Sequence, residues 1–195
     1  MKPLSRIDYR KVGHVCIYHG HMGAGLTLAA VRHAVSLHKQ TGMPIVSNIR
    51  LYKVAHKMLD VESLLQTTNS IVLLDNVWLY LNNRREAEAA PLLSRYMTLA
   101  RHQNNKYVLV CHNLEDLLPR VRKSTSTTFL CNYIRSKRPA LILWRKDVHL
   151  SKLRCYRLNN VDRIFKYYNT VDIPVALRLF KNAIARDVIY GDRES

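Results

Sequence analysis

Residues 20–27 read Gly20-His21-Met22-Gly23-Ala24-Gly25-Leu26-Thr27, the spacing of the Walker A pattern G-x-x-x-x-G-K-[ST] with leucine at the lysine position. In that pattern the N–H groups of a glycine loop wrap a phosphate, and the closing hydroxyl meets Mg²⁺. Gly20, Gly25 and Thr27 keep their places. Leu26 cannot neutralise phosphate oxygens as an ammonium does. The frame of a nucleotide site is present, and its principal cation is missing. The plain alternative is an ordinary strand-to-helix turn, which the apolar strand ending at Asp75 makes the minority reading.

Upstream, Val12–His19 is a short apolar, β-branched run that suits a buried parallel strand. Downstream, Leu28, Val31, Val35 and Leu37, with alanines between, predict a helix over Thr27–Gln40, closed at Gly42–Pro44. Strand, glycine loop and helix is the context that the motif requires. Pro44–Ile49 reads as a second strand, Val54–Leu65 as helical, and Ser70–Asp75 as a strongly apolar strand. Glu86–Asn104 predicts a long helix, Lys106–His112 a buried strand, and Asn113–Leu118 a turn with a short helix. Three β runs follow at Thr127–Ile134, Pro139–Arg145 and Ser151–Leu158, joined by hairpin-like connections at 136–139 and 145–148. Pro174–Ile189 has an amphipathic helical pattern. The alternation predicts an α/β fold: a three-layer P-loop NTPase sandwich with a mostly parallel sheet, extended by antiparallel C-terminal strands. One domain is expected over 1–195, its core at about 12–172.

Ile71-Val72-Leu73-Leu74-Asp75-Asn76 supplies a second half-motif. An aspartate at the carboxyl end of an apolar strand holds Mg²⁺ in P-loop NTPases, partnering the loop hydroxyl. Ligands of open α/β sheets also sit beyond those strand ends. Thr27 and Asp75 are thus the candidate Mg²⁺ residues, and Gly20 to Thr27 the candidate nucleotide loop. Capping of a strand end is the plainer role for Asp75.

The chain resembles the FtsK/HerA-type ATPases of viruses, phages and plasmids, which include zonula-occludens-toxin-like assembly proteins and genome-packaging ATPases. The resemblance runs over roughly residues 12–172. It rests on the glycine loop, on Ile45-Val46-Ser47-Asn48-Ile49 for a "vvSNi" strand, and on Leu74-Asp75-Asn76 running on to Arg84 for the Walker B strand and its extension. Leu99-Ala100-Arg101-His102, Cys111-His112, Leu117 to Arg122, and Tyr168-Asn169-Thr170 match further family segments. It implies ATP and Mg²⁺ as cofactors, nucleic acid as partner (DNA before RNA), and a homo-oligomeric or mixed ring. It also places Asn76 where a glutamate orients the attacking water, and His112 where a glutamine senses the γ-phosphate. An amide cannot accept a proton as a carboxylate does. With Leu26 for lysine as well, two charged groups are gone from a reaction that relies on positioning and electrostatics. His21 and Arg32 are possible replacement cations in the chain, and Arg101 or Arg120 from a neighbouring subunit.

Lys+Arg number 31 against 14 Asp+Glu, a formal charge of +17. Such a field attracts polyanions and makes their capture salt-dependent. Arg120, Arg122 and Lys123 in one segment, and Arg135, Lys137 and Arg138 in a basic turn, are the candidate nucleic-acid contacts. Trp78 and Tyr80 read as packing residues. Cys16, Cys111, Cys131 and Cys155 stand singly, without metal-ligand spacing, and predict buried free thiols. No apolar run reaches the roughly 18–20 residues of a membrane span. These features predict a soluble protein of the cytoplasm or virion. The leading expectation is a packaging-type, nucleic-acid-binding P-loop protein with weak or no hydrolysis. An active DNA-translocating ATPase completed in trans and a non-enzymatic nucleoprotein are the alternatives.

Overall fold

The computed structural model describes residues 6–59, 67–77, 97–148 and 152–170. Its elements are β1 (Val15–His19), α1 (Leu26–Thr41), β2 (Ile45–Ser47), β3 (His56–Met58), β4 (Ile71–Leu74), β5 (Lys106–Val110), α2 (Pro119–Ser124), β6 (Thr127–Ile134), β7 (Ala140–Asp147) and β8 (Lys152–Asn159). Short 3₁₀ turns lie at Tyr9–Lys11, Leu114–Asp116 and Val161–Tyr167. The eight strands form one sheet in the order β3-β2-β4-β5-β1-β6-β7-β8. Pairing is parallel from β3 through β6 and antiparallel for β6-β7 and β7-β8.

Apolar patterning explains the layers. β4 is apolar at all four positions, and none of them meets solvent. A strand without polar alternation is stable only when both its faces are covered. Side chains alternate across the sheet, so the core divides in two. Cys16, Tyr18, Leu73, Val108, Phe129 and Leu143 pack with α1 on one face. Ile17, Val72, Leu74 and Leu109 pack with Met97, Leu117 and Val121 on the other. Each Val, Leu, Ile, Phe or Met among them contributes about 1.5–3 kcal/mol when fully buried. Three layers result, as the sequence predicts.

Helix α1 lies over β1, β4 and β5. Ala29, Ala30 and Ala34 are wholly buried, and their small side chains let the helix axis approach the sheet closely. Gly42, at φ 73°, ends it in the left-handed conformation that relieves the last carbonyls. Between α1 and β1, His33 Nδ1 meets Tyr18 OH at 3.1 Å, and Tyr9 stacks on the His33 ring with centroids 4.4 Å apart. Burial pushes the His33 imidazole down to about 3, so the ring stays neutral.

The structure departs from the sequence reading at several ends. β1 begins at Val15, because residues 9–12 are taken up by a 3₁₀ turn in which Val12 N donates to Tyr9 O at 3.1 Å. Residues 56–58, expected helical, form the edge strand β3 against β2; pairing outweighs local preference there. Most of the expected helix at 86–104 lies outside the described residues. Its visible end is helical at 97–98 and turned at 99–104. Asn104 at φ 52°, with Asn105 N donating to Ala100 O at 2.8 Å, closes it as a Schellman-type cap. Helix α2 and the 161–167 turn were not foreseen, although Pro119 at the first helical position is a recognised start signal. The amphipathic 174–189 segment and residues 78–84 lie outside the described residues. Among the described residues no helix is long and apolar enough to cross a membrane. All four cysteines are buried free thiols.

A buried ion pair ties the antiparallel extension to the chain start. Arg145 Nη2 lies 2.7 Å from Asp147 Oδ1 and also donates to Lys11 O at 3.1 Å. Thr127 Oγ1 donates to the same carboxylate oxygen at 3.0 Å. Removing one partner leaves a buried charge uncompensated. Asp147→Ala should therefore lose about 3–5 kcal/mol in urea unfolding; a loss under ~1 kcal/mol would show that the pair behaves as an exposed one.

Candidate functional site

Strand β1 has β5 on one side and β6 on the other, all parallel, so their carboxyl ends open on one edge of the sheet. Ligands of open α/β sheets bind at that edge. β1 stops at His19, opposite Leu130, whereas β6 continues to Ile134. The last residues of β6 thus overhang the loop that leaves β1. They hold their place by pairing with β7, Tyr133 opposite Leu141.

Close packing under this overhang explains the glycines. A Cβ on Gly20 would stand 3.0 Å from Cys131 O. One on Gly25 would stand 3.0 Å from Leu141 Cδ1 and 3.3 Å from Tyr133 Cβ. Gly25 also has φ 81°, a region that side chains strain to enter. It caps α1 with no side-chain hydrogen bond of its own. The first helical bond runs from Ala29 N to Gly25 O at 2.9 Å. The N–H groups of the first turn have no partner within the helix, and with its dipole they favour an anion. Gly20 N donates to His112 O at 3.2 Å, which clamps the loop start to the residues after β5.

Thr27 and Asp75 meet below the loop. The Thr27 hydroxyl donates to the Asp75 carboxylate at 3.1 and 3.3 Å, across 48 positions of sequence. Asp75 is held from behind: Asn48 Nδ2 donates to Asp75 O, and Asp75 N donates to Asn48 Oδ1, both at 2.8 Å. Asn76 turns away in the left-handed region at φ 51°, and its N–H donates to Asp75 Oδ1 at 3.1 Å. Burial raises the Asp75 pKa, opposed by its hydrogen bonds from Thr27 and Asn76 and by His112. A buried carboxylate so placed gains from a bound cation. One hydroxyl and one carboxylate suit Mg²⁺, which takes few protein oxygens and completes its shell with phosphate and water. Among the described residues no cluster of three or more His, Cys, Asp or Glu side chains offers an all-protein metal site.

These groups line a cleft of about 570 Å³. Its lining joins the loop residues Gly23, Gly25, Leu26 and Thr27 to Asp75, Asn76 and His112, to Tyr133 and Arg135 at the end of β6, and to Phe165 and Tyr168 to Thr170. Leu26 is 6% exposed and belongs to the core on the α1 face. Its side chain fills the space over Gly20 and presents no charge.

The remaining candidates scatter. His21 is exposed and does not line the cleft. Arg32 lies beside Tyr9 and does not line the cleft. Arg101 is exposed in the turns before β5, at the amino edge of the sheet, so it cannot reach the cleft of its own chain. Arg120, Arg122 and Lys123 are exposed on α2, whose Val121 faces the core. Lys137 and Arg138 border a separate hollow with Arg157. Eight extended residues of β6, about 26 Å at ~3.3 Å each, separate these two basic groups. Arg135, by contrast, lines the cleft. Tyr133 and Arg135 carried no sign of these places in the linear pattern, because strand register puts them there; Asn48 was visible only as part of the Ser47-Asn48 segment, without a role.

No protein-family model matches the chain, and no curated protein matches it. Solved structures do. The N-terminal domain of zonular occludens toxin from Neisseria meningitidis superposes with a TM-score of 0.56 at 16% identity, over 81% of this chain and 100% of that one. The genome packaging NTPase B204 from Sulfolobus turreted icosahedral virus 2, in complex with ATP-γS, gives 0.57 at 9% identity, over 73% and 96%. The DNA-packaging ATPase B204 of Sulfolobus turreted icosahedral virus gives 0.54 at 11% identity, over 73% and 96%. The chain has the P-loop NTPase fold of these viral and toxin-domain proteins, in line with the FtsK/HerA-type likeness of its sequence.

Proposed function

We propose that this chain is a packaging-type P-loop protein that binds a nucleoside triphosphate with Mg²⁺, hydrolyses it weakly or not at all, and engages nucleic acid, DNA before RNA. The observation that carries this reading is the meeting of the Thr27 hydroxyl and the Asp75 carboxylate beneath a glycine loop at a helix N-terminus. The viral relative of the same fold binds ATP-γS and AMPPCP. Thr27 and Asp75 would hold Mg²⁺, which supplies charge neutralisation at the β- and γ-phosphates when bound. The loop amides would orient the phosphates, and the aromatic residues of the cleft, Tyr133, Phe165 and Tyr168, would shield the rest of the nucleotide. Asn76 lines the cleft without a carboxylate that could activate water, and Leu26 brings no charge. Retention without turnover follows from that pair. Arg101, at the opposite edge of its own sheet, acts on a nucleotide only from a neighbouring subunit of a ring.

The +17 charge supports a polyanionic partner. Exposed α2 and the Lys137–Arg138 turn are the contacts for phosphate backbones, in a homo-oligomer or mixed ring of the cytoplasm or virion.

Binding of a fluorescent ATP analogue should require Mg²⁺, and ATP turnover should be negligible. Leu26→Lys combined with Asn76→Glu should raise turnover. Brisk hydrolysis by the unaltered chain, unchanged by Leu26→Lys, would remove the inactive reading and leave the ATPase completed in trans.

Asp75→Asn separates metal binding from folding. Its raised pKa means that the folded state disfavours the charged carboxylate, so without nucleotide the ionised group opposes folding. The variant should melt higher than the parent at neutral pH, with the gap closing as acid protonates Asp75. Mg²⁺-dependent binding should disappear. A lower Tm at neutral pH together with intact binding would contradict the assignment.

DNA binding should weaken steeply with salt. Arg122→Ala with Lys123→Ala should flatten the log–log slope by roughly one unit per lost phosphate contact, equally for all sequences. An unchanged slope would clear α2 of that role.

A further inference from the structure

The missing Walker lysine leaves a charge to be accounted for, and the sheet register supplies a candidate. Side chains on one face of a strand recur every second residue. On β6, Phe129 and Cys131 are buried in the α1-side core, and Tyr133 packs against that core. Arg135, immediately after the strand, is the next position in that phase. The residues before it sit directly on the loop, Cys131 O against Gly20 and Tyr133 Cβ against Gly25. A guanidinium nitrogen, Arg135 Nη2, lies 3.8 Å from the site of a Cβ on Gly23. Gly23 itself has φ 78° and lies in the middle of the phosphate loop.

We infer that Arg135 is the phosphate-binding cation of this site, supplied in cis from the end of β6 in place of the lysine that Leu26 displaced. The inference deepens the nucleotide-binding reading and rests on it. It also separates Arg135 from Lys137 and Arg138, its neighbours in the turn, which border a different hollow.

The chemistry suits the position. A guanidinium presents a planar fork of donors to phosphate oxygens and keeps its charge at any working pH. An ammonium on α1 would reach the phosphates from the helix side; Arg135 reaches the same loop from the overhanging strand. The side chain is exposed, so it meets a ligand without first leaving a buried partner. A cation beside Gly23 is separate from the Thr27–Asp75 pair, which stays available for Mg²⁺.

The test is a charge-relocation series on the full chain, titrated with a fluorescent ATP analogue and, separately, with inorganic tripolyphosphate. Arg135→Ala should weaken both by about 10- to 100-fold, the loss expected for charge-assisted hydrogen bonds, and should leave the melting temperature unchanged. Arg135→Lys should recover part of the affinity. Leu26→Lys in the Arg135→Ala background should restore binding, because it returns the cation to the helix side. Full affinity in Arg135→Ala, or a loss that Arg135→Lys does nothing to recover, would overturn the assignment of Arg135. An unaltered chain that binds neither probe would instead overturn the nucleotide-binding reading, and this inference with it.

Discussion

Two hydrogen bonds of 2.8 Å between the Asn48 side chain and the Asp75 backbone hold the site together. They join the ends of β2 and β4 where regular pairing has stopped, and they fix the direction in which the Asp75 carboxylate leaves the strand. Without that clamp a buried acid would turn toward solvent, since burial disfavours its charge. With it, the carboxylate meets Thr27 at the first turn of α1, and two distant segments become one oxygen-rich corner. The same interaction gives a physical role to Asn48, the residue that follows β2. Its amide satisfies both a donor and an acceptor of the neighbouring main chain, which a carboxylate or an alkyl group could not do.

The layers around this corner are set by burial. The central strands are apolar on both faces, and the alanine-rich helix lies close over them. The antiparallel extension adds a second function to β6. It is a sheet strand along its first half, where it pairs with β1, and a brace for the phosphate loop along its second. Glycines at 20 and 25 follow from that dual use, since the brace leaves no room for side chains. The loop is therefore shaped from outside as well as by its own backbone preferences.

Much of this was legible in the linear chain. The strand–loop–helix order around Gly20 to Thr27, the apolar run ending at Asp75, and the three β runs near the C-terminus follow from local periodicity and spacing. They translate directly into β1, α1, β4 and β6 to β8. Short elements were harder. His56–Met58 carries no strand signal, because an edge strand of three residues owes its state to its neighbour. Helix α2 hides in a basic segment with a single buried side chain, Val121. Within the site, the loop and Asp75 were readable as motifs. The place of Arg135 was not, since strand phase relative to a loop 110 residues earlier has no trace in composition or spacing. Arg101 shows the converse, a motif match that the fold places at the far edge of its own sheet.

The overhang of β6 has a consequence for how this chain tolerates change in length. A strand faces alternate sides with every residue, so one residue gained or lost between Leu130 and Tyr133 would turn Tyr133 and Arg135 to the opposite surface. Two residues would keep their phase and only shift their reach. Parity, more than size, governs which insertions this hairpin accepts, and the phosphate loop inherits that arithmetic from a segment it never touches in sequence.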